Sequence, residues 1–232
     1  MTSLNIRELI SKRGCFDKKE NLRIYDKFFK KTPRTFRMPL QKYQLYEKKV
    51  LDIGCSYGQY LIRFGPESVG IDIQEKMINF GRGLGLQIIK SDVDKDIAVS
   101  NNSFDAIWCS NLLEHVISPH KFLKICHDKL NSQGLLFIKV PLIPSLFVDF
   151  IYSKIFGDVG YRQSEHIYAY TKKSIEFIVN RAGFRVIEGN IFLFSNKLLD
   201  RLLNPPLSRL NLTITIVAKK IDNFSLSEKR PV

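Results

Sequence analysis

From residue 50 onward, apolar residues come in short runs that are bounded by polar or glycine-containing turns. Most runs are continuous and rich in Val, Ile, Leu and Phe, which is typical of strands buried on both faces of a sheet. The last run alternates apolar and polar residues, as an antiparallel strand does. The pattern predicts seven strands, at residues 50–53, 68–73, 86–89, 104–109, 134–140, 184–188 and 212–218.

Between these runs the apolar residues follow a helical spacing. Pro119 suits the first position of one helix, and Ala182-Gly183 the end of another. Strands that alternate with helices indicate an α/β protein with helices on both faces of a mostly parallel sheet, its last strand antiparallel. The predicted helices cover residues 57–64, 74–82, 119–130 and 172–182.

The net charge of +13 is concentrated before the first strand. Residues 1–49 carry 14 basic and 5 acidic side chains, a balance of +9. We predict a basic helical extension at 1–49, a catalytic domain at 50–220 with a lid or substrate-binding insertion at 141–171, and a polar tail at 221–232. The extension is interpreted either as an amphipathic surface packed on the core or as a surface for RNA or an anionic membrane.

Glycines and acidic residues mark the ends of the first three strands. Asp52 closes the first strand, and Gly54 and Gly58 allow a sharp turn that brings backbone N–H groups close to a ligand. Asp72 ends the second strand, where a carboxylate can accept hydrogen bonds from both hydroxyls of a ribose. Asp92 follows the third strand. Since open α/β sheets bind ligands at the carboxyl ends of their strands, these residues predict a nucleoside-binding site.

Together with residues 102–107 (NSFDAI), 113–116 (LEHV), 130–134 (LNSQG) and 181–184 (RAGF), this turn resembles the class I S-adenosylmethionine-dependent methyltransferases. The chain looks most similar to the small-molecule enzymes of the ubiquinone-biosynthesis type, over about residues 49–187. The resemblance implies a Rossmann-like fold and S-adenosylmethionine as cofactor. Ser56 stands where the family usually has a third glycine. The cofactor-binding residues implied are Asp52, Gly54, Cys55, Ser56, Gly58, Asp72, Ile73, Asp92, Val93 and Asn111.

Candidate catalytic residues follow the fourth strand and end the predicted insertion. The resemblance makes His115 the candidate general base, with Glu114 beside it and His166 as a second candidate; the alternative is that these residues orient loops or cap a helix. Some relatives hold a divalent ion with Glu-x-x-Glu-His, but Asn111 replaces the first glutamate here. We therefore expect no metal.

Missing motifs narrow the substrate class. No G-x-G-x-x-G follows the first strand, which argues against a nicotinamide dehydrogenase. The Pro-Pro-aromatic motif of enzymes that methylate base amino groups is also missing after the fourth strand. The expected function is methyl transfer, favouring oxygen, to a small molecule that is free, lipid-linked or saccharide-linked. The alternatives are an RNA methyltransferase and a non-catalytic, cofactor-binding partner subunit.

The four cysteines form no C-x-x-C pair, and no signal peptide or membrane-spanning segment is recognised. These features predict reduced thiols and a cytoplasmic location, with peripheral membrane contact as an option.

Overall fold

The computed structural model describes residues 7–8, 10–11, 19–142, 166–194 and 211–222. Within them, one sheet of seven strands has the order β3-β2-β1-β4-β5-β7-β6. The strands are β1 (Val50–Ile53), β2 (Val69–Asp72), β3 (Ile88–Lys90), β4 (Phe104–Ser110), β5 (Leu130–Pro141), β6 (Phe184–Phe194) and β7 (Asn211–Lys220).

The strand directions confirm the predicted sheet. Neighbours from β3 to β5 are parallel, and β7 lies antiparallel between β5 and β6. The sequence pattern underestimated β5 and β6. Strand β5 begins four residues early, through the largely polar stretch 130–133, and β6 continues six residues beyond the predicted end, to Phe194. In this order the carboxyl ends of β1, β2 and β4 lie side by side, which is where the motif residues stand.

Helices flank both faces of the sheet. On one face, buried residues of two helices join the larger core cluster; on the other, a helix before β1 and a helix after β2 join a second cluster around Trp108 and Phe137. The helices described are α1 (Lys19–Ile24), α2 (Arg34–Lys42), α3 (Glu75–Gly83), α4 (Pro119–Lys129) and α5 (Lys172–Arg181).

The helix predicted at residues 57–64 is wrong. The chain forms turns there and then one short 3-10 helix, Leu61–Arg63. Ser56 and Gly58 have positive φ angles of 51° and 81°, which an α-helix does not accept. The buried guanidinium of Arg63 donates to the backbone oxygens of Gln59 and Phe29, which fixes this turn against the preceding segment.

Aromatic residues before β1 pack into the core. Tyr25 and Phe29, in a π-helical turn at Tyr25–Phe29, are buried beside Ile62 and Leu84. Phe36 of α2 stacks on Tyr60, with ring centroids 4.4 Å apart, and meets Trp108 edge-on at 5.0 Å. The predicted amphipathic packing is therefore present in this segment. Because these rings are buried, they are not available to stack on the bases of an RNA.

Most of the predicted insertion at 141–171 lies outside the described residues. Its two ends are described, and Leu142 forms a parallel bridge with Tyr170. Among the described residues, no helix combines the length and the apolar character that crossing a membrane requires.

Candidate functional site

The turn after β1 is held by backbone hydrogen bonds to β2. The N–H groups of Gly54 and Cys55 both donate to the oxygen of Ile71, at 2.8 and 3.0 Å. Gly54 has a φ of +73°, and a Cβ at Gly58 would lie 2.4 Å from Leu86 Cδ1. Both positions therefore need glycine. Ser56, at the position of the family's third glycine, takes the left-handed conformation that such a glycine would adopt.

Asp72 is fixed at the end of β2 by two backbone donors. Its Oδ2 accepts from the N–H of Ser56 at 2.8 Å, and its Oδ1 accepts from the N–H of Gln74 at 2.9 Å. Each carboxylate oxygen has two lone pairs, so both can still accept from a ligand hydroxyl. The next residue, Ile73, is 56% exposed and offers an apolar surface beside the carboxylate.

Asp52 lies beneath this turn and is buried, 1% exposed. Burial, and then the charge of Asp72, raise the pKa of Asp52 well above its ordinary value. Its Oδ2 has no hydrogen-bond partner among the described residues. The thiol of Cys55 is also buried, and its pKa is raised for the same reason. Neither side chain is at the protein surface, so each could contact only a ligand that is itself enclosed by the protein.

The loop after β3 carries Asp92 and Val93 next to the loop after β4. Asp92 Oδ1 accepts from the N–H of Asp94 at 3.1 Å. Asp94 Oδ1 in turn accepts from the N–H of Ile117 at 2.9 Å, joining the two loops. We did not predict a role for Asp94, because nothing in the sequence distinguishes it from the other acidic residues that follow the third strand.

The loop after β4 brings the predicted catalytic residues together. One ligand-type atom from each of Glu114, His115 and His166 lies within 4.8 Å of the others. The two imidazole rings meet edge-on, with centroids 4.7 Å apart. Leu112, in the same loop, has side-chain atoms 3.4 Å from the position of a Cβ on Gly54. His115 therefore lies in the loop that contacts the turn after β1, with His166 beside it, while Asn111 is exposed.

His166 reaches this place because the end of the predicted insertion binds the loop. The N–H groups of Ile167 and Tyr168 donate to the oxygen of Glu114, at 2.9 and 3.1 Å. The Tyr170 hydroxyl donates to Leu113 O at 3.3 Å. These backbone contacts hold His166 beside His115 although the two are far apart in sequence.

Glu114, which is buried, and Lys139, which is half-buried, attract each other through their charges. Burial raises the pKa of Glu114 and lowers the pKa of Lys139, and the attraction between the two opposes both shifts. Glu114 is 1% exposed, and its Oε2 has no hydrogen-bond partner within the described ranges. We missed Lys139 in the sequence, although a lysine inside the apolar run 134–140 was a visible signal.

The same three residues are a group that could hold a metal ion. Two imidazole nitrogens and a carboxylate oxygen suit a divalent transition metal, and the unpaired Oε2 of Glu114 fits a ligand role. That the chain uses no metal stays a prediction.

Comparison with known proteins agrees with this geometry. A family model described as a methyltransferase domain matches residues 23–189. Over 107 residues the chain is 35% identical to a ubiquinone biosynthesis O-methyltransferase of Glaesserella parasuis, a match that covers 40% of this chain and 45% of that protein. The chain therefore matches less than half the length of this relative.

Solved structures show the same fold. An S-adenosylmethionine-dependent methyltransferase from Archaeoglobus fulgidus is 25% identical, with a TM-score of 0.56, over 86% of this chain and 99% of that one. The YcgJ protein of Bacillus subtilis has a TM-score of 0.62 at 13% identity, over 82% of this chain and 99% of that one. Since the family model covers well over half of the sequence, the chain belongs to the S-adenosylmethionine-dependent methyltransferases, and its cofactor is S-adenosylmethionine.

Proposed function

We propose that the enzyme transfers the methyl group of S-adenosylmethionine to a hydroxyl oxygen of a small-molecule acceptor, with the pair His115 and His166 removing the hydroxyl proton. The observation that carries this proposal is the meeting of Glu114, His115 and His166 in the loop that contacts the cofactor turn. An imidazole is the side chain best suited to accept a proton near neutral pH.

The proposed reaction is an in-line displacement. The acceptor oxygen forms a bond to the methyl carbon as its proton passes to an imidazole nitrogen. The bond between that carbon and the sulfonium sulfur breaks, and its electron pair stays on sulfur. The products are a methyl ether, S-adenosylhomocysteine and a protonated histidine, which then returns its proton to solvent.

The chain's residues would act mainly by orientation. Alignment of the two reactants can contribute up to about 7–11 kcal/mol, and a general base adds about 10²- to 10⁴-fold in rate. In our proposal, Gly54, Gly58 and Asp72 hold the methyl donor. Glu114, whose backbone oxygen binds the segment after residue 166, fixes the distance between the two histidines.

A divalent ion in the same cluster would supply an alternative means of lowering the pKa of the acceptor hydroxyl. In that case Glu114, His115 and His166 would be its ligands and not the base. The two roles make opposite predictions for activity in excess chelator.

Two observations support a small acceptor over RNA. The aromatic side chains of Tyr25, Phe29 and Phe36 are buried in the core and not available for base stacking. The similar relative from Glaesserella parasuis carries an O-methyltransferase name. The proposal includes acceptors attached to a lipid or a saccharide, since the attached group need not enter the site.

The test is a transfer assay with S-adenosylmethionine labelled in its methyl group. Wild-type protein and an Asp72→Ala blank are incubated with separate pools of phenolic small molecules, lipid extract, saccharides and RNA. We expect alkali-stable label in a small-molecule or lipid pool with wild-type protein only. Label found in RNA alone would replace the proposal with the RNA alternative, and binding of cofactor without transfer to any pool would favour the non-catalytic subunit.

A further inference from the structure

A row of polar residues crosses three neighbouring strands near the carboxyl ends of β4 and β5. Ser110 of β4 pairs with Lys139 of β5, which pairs with Thr215 of β7. Side chains of directly paired residues lie on the same face of a sheet. The pairs two residues further into the sheet are Trp108, Phe137 and Val217, which pack together in the cluster that includes Phe36 of α2. This face of the sheet is therefore apolar at Trp108, Phe137 and Val217, and it becomes polar at the row of Ser110, Lys139 and Thr215.

The threonine hydroxyls of this row are buried without partners. Thr215 is 2% exposed. Thr213 lies two residues before it on β7, on the same face of the sheet, where it pairs with Pro141; it is 8% exposed. Neither Oγ1 has a hydrogen-bond partner among the described residues. Buried hydroxyls are normally hydrogen-bonded, so two unpaired hydroxyls beside each other indicate a polar ligand.

Lys139 gives this row a positive charge. A lysine in a central strand must give up much of its hydration, and Glu114 is the nearby carboxyl that attracts it. Glu114 is also at the histidine cluster. The row therefore extends sideways from the proposed point of methyl transfer, at the distance of one or two strands, about 5–10 Å.

We infer that the methyl acceptor carries a carboxylate, which Lys139 binds by charge and the hydroxyls of Thr213 and Thr215 bind by donating hydrogen bonds. This inference rests on the proposed function, and it adds the chemical class of the acceptor. The ammonium on β5 selects the anion, while the hydroxyl to be methylated points back to His115 and His166. Lys139 is then a specificity-determining residue and takes no part in the proton transfer.

The competing explanation is that Lys139 is only the structural partner of Glu114. A structural lysine would affect folding stability, but it would not distinguish an anion from a neutral molecule of the same shape. The test must therefore compare two such molecules.

The probes are 3,4-dihydroxybenzoate and 3,4-dihydroxybenzamide, which differ in charge at one group. Their dissociation constants are measured by calorimetry on the full chain saturated with S-adenosylhomocysteine. We expect wild-type protein to prefer the carboxylate by about tenfold or more, the effect of one charge-assisted contact. Lys139→Met should reduce the preference to about twofold or less, and Lys139→Arg should restore part of it.

Lys121→Met, at an exposed lysine on α4, is the matched control and should keep the wild-type preference. Thr215→Val removes one hydroxyl at nearly constant volume and should weaken carboxylate binding by about three- to tenfold. It serves as the second test if Lys139→Met does not fold.

Equal affinity of wild-type protein for the two probes, or no binding of either, would overturn the inference. So would an unchanged preference in Lys139→Met. Affinity for S-adenosylhomocysteine and transfer of label to either probe are recorded on the same samples. Equal methylation of both probes would leave the proposed function standing without the inference. Selective carboxylate binding without transfer would count against the proposed function, and with it against the carboxylate as part of a methyl acceptor.

Discussion

The cofactor half of the site is built mainly from backbone groups, whereas the acceptor half is built from side chains. In the turn after β1, backbone N–H groups of Gly54, Cys55 and Ser56 meet an oxygen of Ile71 and the carboxylate of Asp72. All of these residues lie within one strand-turn-strand unit. Such a unit is determined by local sequence, because positive φ angles and strand ends fix where its N–H groups point.

The acceptor half depends on contacts between distant parts of the chain. His166 meets His115 where Ile167 and Tyr168 bind the backbone of Glu114. The two halves also differ in electrostatics. Burial raises the pKa of both Asp52 and Glu114. The charge of Asp72 raises the pKa of Asp52 further, whereas His115 and Lys139 oppose the rise at Glu114. The difference suggests that substitutions can separate cofactor binding from catalysis.

Asp72→Ala should have the largest effect on the cofactor half. The loss of two hydrogen bonds to a charged group should lower affinity for S-adenosylhomocysteine by about 100-fold or more, measured by calorimetry. Asp26→Ala, at an exposed carboxylate paired with Lys30, is the control and should bind normally. Unchanged affinity in Asp72→Ala would remove the assignment of this carboxylate to the ribose.

Glu114→Gln should impair the acceptor half of the site and leave the cofactor half intact. The amide keeps the shape of the side chain but removes the negative charge that faces His115 and Lys139. We expect methyl transfer to fall by about 10- to 100-fold with cofactor affinity within about threefold of wild type. A parallel loss of cofactor binding would show that the two halves act as one unit.

Asp52→Asn should stabilise the ligand-free protein by about 1 kcal/mol or more at neutral pH. Because burial raises the folded-state pKa, wild-type stability falls as pH rises from the ordinary aspartate pKa to the raised one. The variant should lack this fall, as measured by urea unfolding at several pH values. Identical pH profiles for the two proteins would contradict the raised pKa.

Chelator treatment should have the smallest effect. If His115 and His166 act as base, activity in excess EDTA should equal that of untreated protein. Loss of activity that a divalent metal restores would instead assign Glu114, His115 and His166 to a metal site and reverse the expectation of a metal-free enzyme.

The sequence was sufficient for the cofactor half because its signals are local. Strand β1 has the predicted bounds, and the sheet has the predicted directions. Residues 57–64 did not form the predicted helix, since the left-handed Ser56 and Gly58 and the contacts of Arg63 with the preceding segment outweigh their helical spacing. The resemblance was enough to propose Glu114, His115 and His166 as site residues. It could not predict how close together they lie.

Lys139 and Thr215 could not be recognised as neighbours from sequence. Their pairing depends on the insertion of β7 antiparallel between β5 and β6, and periodicity alone does not fix strand order or register.

The central claim is that methyl transfer depends on the histidine pair while cofactor binding does not. The most direct measurement is single-turnover transfer of labelled methyl by the His115→Ala/His166→Ala protein, with S-adenosylhomocysteine affinity determined on the same preparation. We predict a rate lower by about 10²- to 10⁴-fold and an affinity within about threefold of wild type. A wild-type rate in the double variant would contradict the account.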